Sequence, residues 1–168
     1  LAANTQPTTG MALARMVGHL TYMPADRMSD RFGRDLRSGS FAPDSSEAPL
    51  FEVESYLRYQ GEQFSTRFDA NTYILMTRAL DCFNIADEAN GDLSKALSEV
   101  RSDYLVISFS TDWRFAPNRS RELVDALVAN GKSVSYANIE SDGGHDAFLL
   151  KNDDYLAIFS AWMKRVAA

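Results

Sequence analysis

A stretch in the second half of the sequence constrains the fold more than any other part. The apolar run Tyr104–Phe109 is typical of a buried strand, and Asp112 follows directly after its C-terminal end. A helix is predicted from about residue 118 to residue 130, and Val134–Ile139 is predicted to be the next strand. His145 lies in the glycine-containing loop after that second strand. The order is therefore strand, acid, helix, strand, histidine.

This order predicts a parallel pair of strands joined by a helix, in an α/β fold. Parallel strands end at the same edge of a sheet, and doubly wound folds place their chemistry at that edge. Asp112 beside His145 would hold the imidazole proton on one nitrogen and leave the other nitrogen to act as a general base. Two alternatives remain open, because an Asp after a strand is often a turn residue and a His in a glycine loop is often incidental.

The first half of the sequence has a helical pattern. Pro24 ends the first helix, and Thr8 or Thr9 is predicted to cap it, whereas Asp69 is the natural N-cap of the fourth. The helices are predicted at about 10–22, 25–33, 50–64 and 70–82, with a loop at 34–49 rich in Gly, Pro, Ser and Asp. Four helices are too many for a crossover between strands, so they predict a helical lid.

The predicted organisation is a lid region at residues 1–90 and a sheet-containing core at residues 91–168. Within the core, a short helix is predicted at about 93–100. A final helix at about 153–166 is expected to pack on the sheet through the apolar residues Tyr155, Leu156, Ile158, Phe159, Trp162 and Met163.

Composition excludes several classes of function. The net charge of −6 argues against a nucleic-acid surface, which would carry a basic stripe. The longest apolar runs are only a few residues, so no membrane span is expected, and no charged-then-apolar leader is expected at Leu1. The single cysteine, Cys82, has no internal disulfide partner, which favours a reducing cytoplasm.

Several motifs resemble one enzyme family, and they span nearly all of the chain. They are Ser-Thr-Asp-Trp-Arg-Phe at 110–115, the segments at 120–127 and 144–149, and the upstream segments at 14–22, 53–57 and 67–73. This set is similar to the homoserine O-acyltransferases of methionine biosynthesis, which have the α/β-hydrolase fold. The resemblance implies the C-terminal part of an α/β-hydrolase fold with an inserted helical lid.

The resemblance also exposes an absence. The family's nucleophile is a serine on a sharp strand-to-helix elbow, and no G-x-S-x-G or similar elbow occurs in this sequence. We therefore expect the chain to be the C-terminal part of a longer enzyme and to be inactive alone.

The family's functional residues map onto five positions. Asp112 and His145 match the acid and the base of the triad. Arg15 matches the arginine that holds the carboxylate of the substrate amino acid, and Asp146 matches a residue that contacts its ammonium group. Arg114 lies where acetyl-using members have an apolar residue and succinyl-using members have an arginine.

Each of these substrate-binding roles has an alternative. Arg15 would otherwise lie on a solvated helix face that it shares with His19 and Tyr22. His19 is interpreted either as structural or as a residue that supports the site without touching the substrate. Asp146 could cap the following turn, and Arg114 could be a surface residue paired with an acidic side chain, either Glu140 or Asp142.

The implied reaction is a double displacement that moves a succinyl or acetyl group from acyl-CoA to the hydroxyl of L-homoserine. Acyl-CoA is a co-substrate, and neither a resident cofactor nor a metal is expected. The expected partners are L-homoserine, acyl-CoA, the missing N-terminal half and a second copy of the chain, bound through the lid helices. The alternative for most aromatic residues of the lid is that they pack only the core of the lid itself. The alternatives are an acetyl-CoA-dependent homoserine or serine O-acyltransferase and an esterase-type hydrolase of the same fold.

Overall fold

The chain divides into two compact units, Leu1–Phe83 and Asn84–Ala168, in the computed structural model, which describes residues 6–39 and 51–167. We call them the helical unit and the strand unit. The helical unit contains α1 (Thr8–Tyr22), α2 (Ala25–Phe32), α3 (Glu52–Arg67) and α4 (Ala70–Cys82). No helix among the described residues is long and apolar enough to cross a membrane.

A close crossing of α1 and α3 holds the helical unit together. Gly61 is buried on α3, and a Cβ atom added there would lie 2.9 Å from the carbonyl oxygen of Ala12 and 3.0 Å from its Cβ. Glycine therefore allows the two helix backbones to approach more closely than any side chain would permit.

Aromatic rings pack along α3 both before and after Gly61. The ring of Phe64 stacks on Phe68 with centroids 5.0 Å apart, and Tyr73 of α4 meets Phe64 edge-on at 5.7 Å. Tyr56 packs against Phe32 at 5.0 Å. All three contacts lie inside the helical unit.

The predicted cap of α4 is confirmed, but that of α1 is wrong. The carboxylate of Asp69 accepts the backbone N–H of Thr72 at 2.7 Å and caps α4. In α1 the N-cap is Pro7, whose side chain makes no capping hydrogen bond. The fixed φ of proline suits a helix N-terminus, so the helix begins at Thr8 and both threonines fall inside its first turn.

The bounds of α3 also differ from the prediction. Phe51 is extended, with φ −102° and ψ 152°, and forms an antiparallel bridge with Leu36, so the helix begins only at Glu52. It continues to Arg67, because Phe68 is the first residue after it with extended backbone. The predicted start at Leu50 and residues 40–49 of the predicted loop lie outside the described residues.

The strand unit alternates helices and strands. Its elements are the 3-10 helix Asp87–Ala89, α5 (Leu93–Ala96), β1 (Tyr104–Phe109), α6 (Pro117–Ala129), β2 (Val134–Ile139), the 3-10 helix Gly144–Leu149 and α7 (Asp153–Val166). The predicted bounds of both strands and of the last helix are confirmed. The predicted helix at 93–100 ends early, at Ala96.

The two strands form a parallel pair in register, with Tyr104 opposite Val134 and Phe109 opposite Ile139. Helices cover both faces of this pair. On one face the fully buried Leu127 of α6 packs with Leu97, Ala126, Tyr104 and Val134. On the other face Phe109, Ile139 and Ala147 pack against Tyr155 and Ile158 of α7. The segments after Phe109 and Ile139 therefore leave the sheet at the same edge.

Helix α7 packs on the sheet through only part of its apolar surface. Tyr155 and Ile158 contact the sheet cluster as predicted, but Leu156, Phe159 and Met163 are exposed. The reason is geometric: the described sheet has two strands, which are too narrow to cover the whole apolar face of a 14-residue helix.

Candidate active site

Asp112 and His145 lie in contact at the edge where β1 and β2 end. The Nδ1 atom of His145 is 3.1 Å from Oδ2 and 3.3 Å from Oδ1 of Asp112. The side chain of His145 is 16% exposed and that of Asp112 is 7% exposed, so the pair is largely shielded from water. Shielding strengthens the electrostatic interaction of an imidazole with a carboxylate relative to its strength in bulk water.

The turn after β1 fixes the carboxylate of Asp112. Its Oδ1 atom accepts the backbone N–H groups of Arg114 and Phe115, both at 3.0 Å. Asp112 is therefore a turn residue as well as the partner of His145, and the two interpretations made from the sequence are compatible. Two fixed N–H donors orient the carboxylate, which leaves Oδ2 directed at the imidazole.

This geometry defines the tautomer of the histidine. A carboxylate accepts hydrogen bonds and cannot donate them, so Nδ1 of His145 carries the hydrogen that Asp112 accepts. General-base chemistry then belongs to the opposite ring nitrogen, Nε2. The pair has the arrangement of the acid and base in a nucleophile–histidine–acid triad.

Two adjacent glycines shape the loop that carries His145. Gly144 has φ +61°, a left-handed conformation that side chains disfavour. A Cβ atom on Gly143 would lie 2.8 Å from the Cα atom of Ala147, which is closer than packed atoms approach. The Gly-Gly pair thus allows the chain to turn directly into the 3-10 helix and to direct His145 toward Asp112.

Two aromatic residues that the sequence analysis did not single out surround the imidazole. The ring centroid of Phe115 is 5.0 Å from that of His145, and the centroid of Phe148 is 6.5 Å away. Both phenylalanines are largely exposed, as is Trp113. The sequence signal that could have identified them is their spacing, three residues after the acid and three residues after the base. An apolar rim of this kind would limit water around a reacting group.

The other predicted site residues have different surroundings. Arg114 has an exposed side chain, and its backbone N–H helps to hold Asp112. Asp146 follows His145 in the 3-10 helix and is half-buried. These two residues therefore belong to the same strand-end loops as the Asp112–His145 pair.

Arg15 belongs to the helical unit. Its guanidinium lies over the rings of Tyr22 and Phe64, at 5.6 Å and 5.3 Å from their centroids. His19 contacts Tyr22 and shares a 3.0 Å hydrogen bond between its Nδ1 and the hydroxyl of Tyr56. The prediction that Arg15, His19 and Tyr22 share a helix face is confirmed. Cation–π contacts with two rings hold the guanidinium in a defined position.

No group of three potential metal ligands lies close together within residues 6–39 and 51–167. The arrangement of Asp112 and His145 can support proton transfer, with His145 as the base.

Comparison with known proteins identifies the relatives of the chain. It is 55% identical over 170 residues to a homoserine O-succinyltransferase of Hydrogenovibrio crunogenus, in an alignment that covers 100% of this chain and 44% of that protein. It is 58% identical over 166 residues to a homoserine O-succinyltransferase of Litchfieldella anticariensis, covering 98% of this chain and 42% of that protein. The chain thus spans less than half the length of these relatives. No protein-family model matches it.

Solved structures share the fold. A homoserine O-acetyltransferase from Bacillus anthracis superposes with a TM-score of 0.75 at 24% identity, over 86% of this chain and 38% of that chain. Esterase E22 superposes with a TM-score of 0.71 at 18% identity, over 86% of this chain and 39% of that chain. Both have the α/β-hydrolase fold. The chain is therefore part of an α/β-hydrolase fold and, over its whole length, a homologue of a segment that makes up 42–44% of the homoserine O-succinyltransferases.

Proposed function

We propose that this chain carries the acid and the base of a homoserine O-succinyltransferase. The observation that carries the proposal is the shielded pair of Asp112 and His145, with Nδ1 3.1 Å from Oδ2. The nucleophilic serine comes from the part of the relatives that this chain does not cover. The names of the relatives at 55% and 58% identity support both the donor and the acceptor.

In the first half of the reaction, Nε2 of His145 removes the proton from the serine hydroxyl, and the serine oxygen attacks the thioester carbonyl of succinyl-CoA. The carbon–sulfur bond breaks, and the imidazolium returns its proton to the departing CoA thiolate. A succinyl ester of the serine remains. Asp112 stabilises the imidazolium while it exists and keeps its ring orientation unchanged.

In the second half, the hydroxyl of homoserine attacks the succinyl ester. His145 removes the proton of that hydroxyl and then protonates the serine oxygen as it leaves. The products are O-succinylhomoserine and the regenerated serine. Water could take the place of homoserine, so the site must favour the amino acid as the acceptor.

Two charged residues would recognise the acceptor. We assign the carboxylate of homoserine to Arg15, whose planar guanidinium offers two parallel donors. We assign its ammonium group to Asp146, a half-buried carboxylate next to the base. An esterase has no use for such a pair, and this separates the proposal from hydrolysis.

Arg114 would recognise the donor. Succinyl ends in a carboxylate that loses hydration inside an active site, and a guanidinium can replace that hydration. A charge-assisted pair of this kind contributes roughly 1.5–3 kcal/mol, or about ten- to a hundredfold in discrimination against acetyl. The backbone of Arg114 is fixed by its hydrogen bond to Asp112, so its side chain starts from a defined position beside the pair.

Hydrolysis is the second candidate function, favoured by the superposition on esterase E22 with a TM-score of 0.71. A hydrolase would transfer the acyl group to water through the same acid and base. The sequence identity to that esterase is 18%, against 55–58% for the succinyltransferases, which is why we prefer the transferase.

The proposed assembly is a homodimer formed through the lid. Helix α4 exposes a row of apolar side chains, among which Leu80 and the adjoining Phe83 are 72% and 73% exposed. Leu80→Glu should therefore give a monomer in light scattering, whereas Val128→Glu, which changes an exposed apolar residue of α6, should not.

The exposed thiol of Cys82 on α4 fits a cytoplasmic enzyme, because thiols stay reduced in the cytoplasm.

The acid and base assignment is tested in the complete protein by following CoA thiol release from succinyl-CoA with and without homoserine. We expect release to require homoserine and to fall by several orders of magnitude in His145→Ala. Equal rates with and without homoserine would instead indicate the hydrolase. Retention of activity in His145→Ala would refute both functions.

The donor assignment is tested by comparing kcat/KM for succinyl-CoA and acetyl-CoA in Arg114→Leu. We expect the preference for succinyl to fall about ten- to a hundredfold. Arg119→Leu is the matched control, because Arg119 is an exposed arginine that pairs with Glu122 on α6. An unchanged donor ratio in Arg114→Leu would show that Arg114 is a surface residue.

A further inference from the structure

The hydroxyl of Thr111 joins the two loops that carry the candidate acid and base. Its Oγ1 donates a hydrogen bond to the carbonyl oxygen of Ser141 at 2.6 Å. The same oxygen accepts the backbone N–H of Gly144 at 3.1 Å. One hydroxyl can donate one hydrogen bond and accept others, so both contacts can form together. We call this pair of contacts the Thr111 bridge.

The bridge lies where it can control the position of Asp112 relative to His145. Thr111 directly precedes Asp112, and Gly144 directly precedes His145. The bridge therefore joins the two backbones one residue before each member of the pair. A change in its length would move the carboxylate and the imidazole relative to each other, whereas a contact farther along either strand would act only through the sheet.

The backbone of the His145 loop depends on this contact. Gly144 is buried and begins the 3-10 helix, and the first N–H groups of a helix have no partner within it. Thr111 supplies the partner for Gly144. Its neighbour Ser110 supports the same loop at a different point, by accepting the backbone N–H of Ser141 at 3.1 Å. Of these two residues, only Thr111 contacts Gly144.

We propose that Thr111 is a positioning residue for acyl transfer, whose hydroxyl sets the geometry between Asp112 and His145. The inference rests on the proposed function, because it assigns to Thr111 a part in the same proton transfer. Thr111 does not touch the reacting atoms. Its effect reaches them through the hydrogen bond between Oδ2 and Nδ1.

The test compares Thr111→Val with Thr111→Ser in the complete protein. Valine has the shape of threonine without the hydroxyl, and serine keeps the hydroxyl without the methyl. We expect Thr111→Val to lower kcat on the order of 10- to 100-fold, as a displacement of about 1 Å at a reacting group does, with KM for homoserine little changed. Thr111→Ser should retain kcat close to that of the wild type.

Ser108→Ala is the matched structural control. Ser108 is buried, and its hydroxyl joins β1 to β2 through contacts of 2.9 Å with Tyr136 and Asn138. It does not reach the His145 loop. We expect its removal to lower the melting temperature and to leave kcat unchanged.

A double variant separates positioning from folding. If Thr111 acts through Asp112, then Thr111→Val should lower the residual kcat little further in the Asp112→Asn background, because residues that act as one unit are not additive. A full additional loss in that background, or an equal loss of kcat in Ser108→Ala, would overturn the positioning role.

The outcomes also distinguish this inference from the proposed function. Wild-type kcat in Thr111→Val, together with loss of activity in Asp112→Asn, would refute the positioning role and leave the proposed function standing. Activity retained in both Asp112→Asn and His145→Ala would refute the proposed function itself. If Thr111→Val does not fold, hydrogen exchange of the Gly144 amide in the wild-type protein decides: slow exchange is expected, and exchange at the rate of an unbonded amide would overturn the inference.

Discussion

Replacing Asp112 by two different residues separates its role toward His145 from its role in its own turn. Asp112→Asn keeps an oxygen at the position of Oδ1, where the backbone N–H groups of Arg114 and Phe115 bind at 3.0 Å. It places an amide nitrogen at the position of Oδ2, 3.1 Å from Nδ1 of His145. Asp112→Ala removes both oxygens.

The expected effects follow from these distances. In Asp112→Asn, the amide donates to Nδ1, so the imidazole hydrogen moves to Nε2, and the base is lost. We expect kcat to fall about 10⁴-fold while the turn stays intact. In Asp112→Ala, the two backbone N–H groups of the turn also lose their acceptor, and each lost hydrogen bond costs about 0.5–1.5 kcal/mol of folding free energy.

The assay is kcat by CoA thiol release and stability by denaturant unfolding, both in the complete protein. The Asp112→Asn variant should lose activity and keep most of its stability, whereas the Asp112→Ala variant should lose both. If Asn destabilises the protein as much as Ala does, then Oδ1 does not hold the turn as described. If Asn retains more than about a tenth of wild-type kcat, then Asp112 does not orient the base.

Two further predictions concern the helical unit. Gly61→Ala should destabilise the protein by about 1–3 kcal/mol in denaturant unfolding, because its Cβ would meet the backbone of Ala12 at 2.9 Å. Gly10→Ala is the control and should not destabilise it, because among the described residues no atom of another element lies within 4 Å of the added Cβ. Hydrogen bonds from the backbone N–H and the hydroxyl of Thr72 lower the pKa of Asp69 below its ordinary value of 3.8. The cap should therefore stabilise α4 fully above pH 3.8, and its contribution should be lost as the pH falls through the lowered pKa. The chemical shift of the Thr72 amide should report this transition. In Asp69→Asn, whose side chain does not titrate, the transition should be absent.

Local patterns in the sequence were sufficient to predict most of the elements. The strands Tyr104–Phe109 and Val134–Ile139 and the helix Asp153–Val166 have the predicted bounds, because apolar periodicity and the flanking breakers are local signals. The cap of α4 is local too, since Asp69 bonds a residue only three positions away. The start of α3 is not determined by a local pattern, because Phe51 pairs with Leu36, and nothing near Phe51 in the sequence indicates that bridge.

The site divides in the same way. The sequence alone determined that an acid and a histidine follow neighbouring strands, because chain order and strand polarity place both at one edge of a parallel sheet. Only the tertiary structure decided their separation of 3.1 Å and the contact of Thr111 with Gly144 across 33 residues. Those contacts join segments far apart in the chain. They depend on strand register and on a glycine with positive φ, neither of which a local pattern specifies.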